Sequence, residues 1–195
     1  MKTNLLTQFR ISVWILLLVL CGLSDSHGSD LANYVATMDK KTTQIDRLPT
    51  REVKKSLLTG TDGGGALSAF WHEGQVRHVK ITIIMSNRQI EENYYYENGQ
   101  LIFAASKQSF FLWDKAAQKL DLHKIASSFE DKYYFMDGKL KQWNTNRAAV
   151  DLSDQDSNVS KEGETLLRQS TFFMQTARDE KDSVDIEAFI KRGTP

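Results

Sequence analysis

The sequence predicts an α+β fold: an antiparallel β-meander of about six strands, arranged as three hairpins, with N-terminal and C-terminal helices packed on the sheet. Three observations predict it. Apolar residues recur at helical spacing near both ends of the chain, and the spacing changes to two between residues 66 and 143. Within that middle stretch, three segments share one form, in which aromatic residues lead into a two-residue turn ending in glycine and apolar residues follow.

The first helix is read from Leu31, Tyr34, Val35 and Met38, at i, i+3, i+4 and i+7, with Ile45 on nearly the same stripe, which places it over roughly 30–46. Pro49 breaks the pattern. Thr50 can then cap a second short helix with Val53, Leu57 and Leu58 turned inward, so the helical part is expected to run over 30–58. Thr59 to Gly65 reads as a flexible exit. It lacks the lysine of a phosphate loop and runs from helix into strand, the wrong order for an anion site at a helix N-terminus.

The three turn segments are Phe70-Trp71-His72-Glu73-Gly74-Gln75-Val76, Tyr94-Tyr95-Tyr96-Glu97-Asn98-Gly99-Gln100-Leu101-Ile102-Phe103 and Tyr133-Tyr134-Phe135-Met136-Asp137-Gly138-Lys139-Leu140. Asn-Gly and Asp-Gly are strong hairpin signals, because both central positions of a type I′ turn need positive φ. Glu73-Gly74 is a weaker version. Regular pairing from these turns sets Tyr96 opposite Leu101, Tyr95 opposite Ile102, Tyr94 opposite Phe103 and His78 opposite Ala69. It puts Tyr94, Tyr96, Leu101 and Phe103 on one face. In the third hairpin Tyr133, Phe135, Leu140 and Gln142 share a face, and Tyr134, Lys141 and Trp143 point the other way. Val79 to Met85 and Phe110 to Trp113 are further strand candidates, the latter before a loop around Asp114 to Lys119. The units are unevenly spaced, as in a meander within one domain and not a solenoid.

Past Trp143 the chain turns polar, with Asp151 to Asn158 a solvated link. Leu166, Leu167, Phe173, Met174 and Ala177 then restore helical spacing over 160–178, and a last short helix is expected over Asp182 to Lys191.

The second and third turn segments resemble the Tyr-Tyr-Phe-x-Asn-Gly-Lys-Leu hairpins of uncharacterised secreted bacterial proteins. The similarity covers residues 66–143. It implies a fold and a compartment and carries over no catalytic residue.

Compartment is also read from the first 28 residues. Lys2 and Arg10 precede an apolar run from Ile11 to Leu20, too short to span a bilayer, and Ser26 and Gly28 suit the −3 and −1 positions of a signal peptidase site. Cleavage is expected after Gly28, with Ser24 the alternative last residue removed, and export to the periplasm or beyond follows. Cys21 invites a lipoprotein reading, but Leu20 before it is the wrong size for a lipobox, so a soluble product is expected. Cleavage removes Cys21, the one cysteine of the chain, and with it disulfides, thiolate zinc sites and a cysteine nucleophile. It also takes Lys2, Arg10 and Asp25 from a chain of 25 basic and 25 acidic side chains. The near-neutral remainder, 29–195, fits a single domain and offers no electrostatic case for nucleic acid or an anionic membrane surface.

Among chemistries, His72, Glu73 and His78 invite a test for metal or hydrolase function. No zincin, EF-hand or facial-triad spacing accompanies them, and no Gly-x-Ser-x-Gly elbow occurs. No cofactor or metal is expected. Adjacent carboxylates such as Glu91-Glu92 point to opposite faces of a strand and cannot flank one bond. The residual signal is aromatic, since exposed Tyr or Trp on a rigid sheet is a recurring binding surface. The expectation is therefore a non-catalytic binding or inhibitor-type envelope protein, with Tyr95, Tyr134, Lys141 and Trp143 as contacts for a protein or glycan partner. The competing readings are an envelope hydrolase built on His72, Glu73 and His78, and a carrier of small hydrophobic ligands.

Overall fold

The structure is a computed structural model that describes residues 26–58, 61–147 and 155–186. The signal reading, Cys21, part of the glycine-rich exit, the start of the polar link and residues 187–191 of the last expected helix lie outside the described residues. In chain order the elements are α1 (Ser26–Asp46), β1 (Arg51–Leu57), β2 (Gly65–His72), β3 (Gln75–Ile84), β4 (Arg88–Glu97), β5 (Gln100–Asp114), β6 (Lys119–Met136), β7 (Lys139–Thr145), α2 (Gln155–Arg178) and β8 (Ser183–Val184). The chain divides into two compact units, up to Asp39 and from Lys40 onward. In the first, the Thr37 hydroxyl donates to the Asn33 carbonyl one helical turn back, at 2.8 Å.

The expectation of about six strands in three hairpins is corrected. Among the described residues there is one eight-stranded mixed sheet, in the order β7-β6-β5-β4-β3-β2-β1-β8, with β8 parallel to β1 and every other pairing antiparallel. The two added strands come from segments read as helix. Val53 and Leu57 are four residues apart, a separation that suits one face of a helix and one face of a strand equally. Pairing with β2 decides for the strand: Lys55, between them, also turns inward and is 3 % exposed. Its ammonium donates to the Asp179 carbonyl, the partner a buried cation requires. Leu58, expected inward, is exposed. The free edge of β1 then captures β8, through Ser56 N–H to the Asp182 carbonyl (3.0 Å) and Leu58 N–H to the Val184 carbonyl (2.9 Å).

The three turns carry positive φ at both central residues, at Glu73-Gly74, Asn98-Gly99 and Asp137-Gly138. Their strands do not pair regularly. In each hairpin one residue, three past the turn glycine, has no opposite number: Arg77, Ile102 and Lys141. These β-bulges shift each following register by one and overturn the regular pairing past that point. His78 lies opposite Phe70 and not Ala69, Tyr95 opposite Phe103, and Tyr94 opposite Ala104.

One face of the sheet packs on α2. Leu67, Ala69, Val79, Ile81, Tyr94, Tyr96, Leu101, Tyr133 and Phe135 form a core with Leu166, Phe173 and Ala177 of α2 and with Val184 and Ile186. α2 approaches closely at Gly163, where an added Cβ would lie 2.9 Å from the Leu140 Cβ. Glycine there lets helix backbone rest on β7.

Candidate functional site

Beneath α2 lies a set of acids, Asp131 buried and Glu92 and Glu162 half-buried. The Tyr94 hydroxyl donates to Glu92 Oε2 at 2.7 Å and lies 3.0 Å from the Gln169 side-chain amide oxygen. Asp131, 1 % exposed, accepts from the Arg147 guanidinium and from Trp143 Nε1 (3.3 Å). Glu162 accepts from the Tyr133 hydroxyl. Burial raises the Glu92 and Glu162 carboxyls above their ordinary 4.5, more than the tyrosine hydroxyls lower them. Between pH 4.5 and those raised values the folded chain keeps protons that the unfolded chain releases, so these two groups stabilise the fold as pH falls through that interval. His78 acts in the opposite sense: burial holds it below 6.5, so stability is lost as pH drops from 6.5 through its folded value. Glu92→Gln should therefore reduce the gain, or deepen the loss, in unfolding free energy between pH 7 and pH 4.5. Urea unfolding across that range checks it, and an unchanged pH difference would refute it.

The bulges build a second aromatic layer on the other sheet face. Phe70, His78, Tyr95, Phe103 and Tyr134 form a row across β2 to β6, with ring centroids 5.0, 4.2, 5.7 and 5.1 Å apart in turn. The end of α1 reaches it. Tyr95 Oη donates to Asp46 Oδ2 at 3.2 Å, and His78 Nδ1 lies 3.7 Å from Asp46 Oδ1. His78 Nε2 is 3.0 Å from Asn93 Oδ1. Sandwiched between two rings, His78 is packing.

The sequence-derived contacts are thus spread among different environments. Tyr95 and Tyr134 are buried in the aromatic row. Trp143, expected on the outer face with Tyr134, is brought by the Lys141 bulge to the α2 face, stacked on Tyr133 at 5.5 Å. Gln142, expected beside Tyr133, lies opposite Tyr134. Lys141 alone of the four is exposed.

His72 and Glu73 line an open cleft of about 290 Å³ with Lys41, Gln44, Arg77 and Glu97. His72 Nδ1 is 3.0 Å from the Pro49 carbonyl and Nε2 is 3.8 Å from Glu73 Oε1, while Lys41 pairs with Glu97 at 2.6 Å. His78 does not line this cleft. Among the described residues, no three His, Cys, Asp or Glu side chains cluster as metal ligands.

The feature that sequence reading missed is the outer half of the β5–β6 hairpin. β4 pairs with β5 only as far as Phe110, and β7 pairs with β6 only as far as Asp131. Beyond these points no third strand pairs with either of them among the described residues, and a two-stranded length of sheet is marginal by itself in water. At its root Phe110 meets Phe129 edge-on at 5.8 Å, the Arg88 guanidinium lies 5.8 Å over the Phe110 ring, and Phe111 N–H donates to the Asn87 carbonyl. At its end Asp114 Oδ1 accepts from the N–H groups of Ala116 (2.9 Å) and Ala117 (3.0 Å), closing the turn. On this arm Leu112 is 40 %, Trp113 51 %, Leu122 55 % and Ile125 51 % exposed. The strand candidate Phe110 to Trp113 was visible in the sequence; its lack of neighbours was not.

No protein-family model, curated protein or solved structure matches the chain.

Proposed function

We propose that this is an exported, non-catalytic binding protein of the bacterial envelope that makes its contact through the β5–β6 arm. The observation that carries this reading is that four large apolar side chains, Leu112, Trp113, Leu122 and Ile125, are each 40–55 % exposed on one two-stranded projection. Large apolar surface left exposed in this way marks interaction sites. The order of charged, apolar and small residues in the first 28 supports export. Among the described residues no helix is long and apolar enough to cross a membrane.

The alternatives draw less support. A hydrolase on His72, Glu73 and His78 needs side chains that converge, yet His72 bonds to Pro49 and His78 to Asn93. A carrier needs an enclosed apolar space between sheet and helix; Tyr94 and Phe173 are packed there, and the cleft of about 340 Å³ between Tyr96 and Leu101 on the sheet and Leu167 and Met174 on α2 is open and bordered by Gln100, Asp137 and Arg178.

The test compares the exported protein with a Leu112→Ser, Trp113→Ala, Leu122→Ser, Ile125→Ser variant. The wild type should remain with isolated envelope material after washing, and the variant should be released with an unchanged circular dichroism spectrum. Equal retention of the two would overturn the reading.

A further inference from the structure

We infer that the arm docks on the anionic headgroup layer of a lipid membrane, with Trp113, Leu112, Leu122 and Ile125 entering the interface and Lys115 and Lys119 facing lipid phosphates. The inference rests on the proposal that the arm is the contact surface, and it names the partner.

Two modes of contact are open to a projecting hairpin, through its backbone edges or through its side chains. The edges are poor templates. Phe111 pairs with Ile125 and Leu112 with Asp121, so residues 122–124 bulge out of the ladder, and Ala126 is skipped between Ser127 and Ile125. Bulges and lysines are what protects a strand edge from adding a further strand. The side chains remain. Trp113, paired with Leu120 one step from the turn, joins a large apolar ring to one N–H donor, the combination favoured at the boundary of hydrocarbon and water.

Charge selects the kind of surface. The arm's two acids are engaged within it: Asp114 caps the turn, and Asp121 accepts from Lys124 Nζ at 3.0 Å and from the His123 N–H at 3.0 Å. Those bonds hold the Asp121 carboxyl below its ordinary pKa and so keep it ionised beside Lys124. With Lys115, Lys119 and Lys124 against Asp114 and Asp121, the arm is net positive by one charge on a chain whose formal charge is zero, and Lys115 and Lys119 stand at its turn on either side of the loop. Basic side chains framing exposed apolar ones match an anionic lipid surface.

The experiment uses the protein as exported and processed by the expressing cell, with vesicles of phosphatidylcholine alone and of phosphatidylcholine mixed with phosphatidylglycerol. Cosedimentation with the mixed vesicles, weakened by added salt, is expected, with a blue shift in tryptophan emission that Trp113→Phe abolishes while Trp71 and Trp143 still report the fold. Lys115→Glu with Lys119→Glu should weaken binding by about tenfold or more, on the usual worth of a lysine near such a surface. Equal binding to both vesicle types would overturn the inference, as would binding indifferent to the arm substitutions. Absence of vesicle binding, with envelope retention still dependent on the arm, would also overturn it while leaving the binding function standing, and the partner would then be a protein. A dimer in solution that the same substitutions dissolve, without vesicle binding, would assign the arm to a second copy of the chain.

Discussion

Tyr134→Ala should lower the unfolding free energy by about 3–5 kcal/mol, the range for removing a fully buried aromatic ring. Tyr134 is 1 % exposed and meets Phe103 edge-to-face at 5.1 Å, at one end of the row that runs through Tyr95 and His78 to Phe70. Its loss would leave a cavity that neighbouring strands cannot close, because their pairing holds the backbones apart. The readouts are a fall in the urea midpoint without a change in slope, and retained envelope binding by whatever fraction remains folded. A variant of unchanged stability that loses binding would return Tyr134 to the role its sequence position first suggested.

Tyr94→Ala should cost about as much, for a compound reason. The ring packs against Phe173 of α2 at 5.5 Å, and the hydroxyl is the donor to Glu92. Tyr94→Phe separates the two contributions. It keeps the packing and deprives a buried carboxyl of its donor, which should cost about 1–3 kcal/mol. That donor lowers the Glu92 pKa, so its removal should raise it further. The Tyr94→Phe protein should therefore recover part of its deficit at pH 5, where Glu92 is more nearly protonated in both states. A deficit that is the same at pH 5 and pH 7 would show that the hydroxyl does not act through Glu92.

The two predictions concern opposite faces of one sheet, and the division of residues between those faces is where sequence reading and structure part. Turn chemistry was legible. Asn98-Gly99 and Asp137-Gly138 hold positive φ at both positions, as the steric permissiveness of those residues demands. The bulges at Arg77, Ile102 and Lys141 were not legible, since nothing in the local chemistry of an arginine, an isoleucine and a lysine marks the residue that a partner strand will skip. The error that follows is systematic: beyond each bulge every assignment inverts, which is how Trp143 moved to the α2 face and Phe103 away from it.

The candidate site shows the same split. Aromatic richness was visible and implied that some rings must be exposed, but the sheet has two covered aromatic layers, and tyrosines 94, 95, 96, 133 and 134 are consumed in building them. Among the described residues the exposed aromatic is Trp113, in a less conspicuous segment. Exposure depends on where β4 and β7 stop alongside β5 and β6, a property of four strands at once.

By itself, then, the chain's local chemistry determined the α+β class, the positions of the aromatic turns and the helices within 30–46 and 160–178, because backbone sterics and side-chain periodicity act over a few residues. Only the tertiary structure decided that 51–57 is a strand, that 183–184 pairs with it, which aromatics are buried and which hairpin stands free. Each of those outcomes balances hydrogen bonds and buried area supplied by segments distant in sequence, such as Lys55 with Asp179 or Tyr94 with Gln169, and no local pattern contains that information.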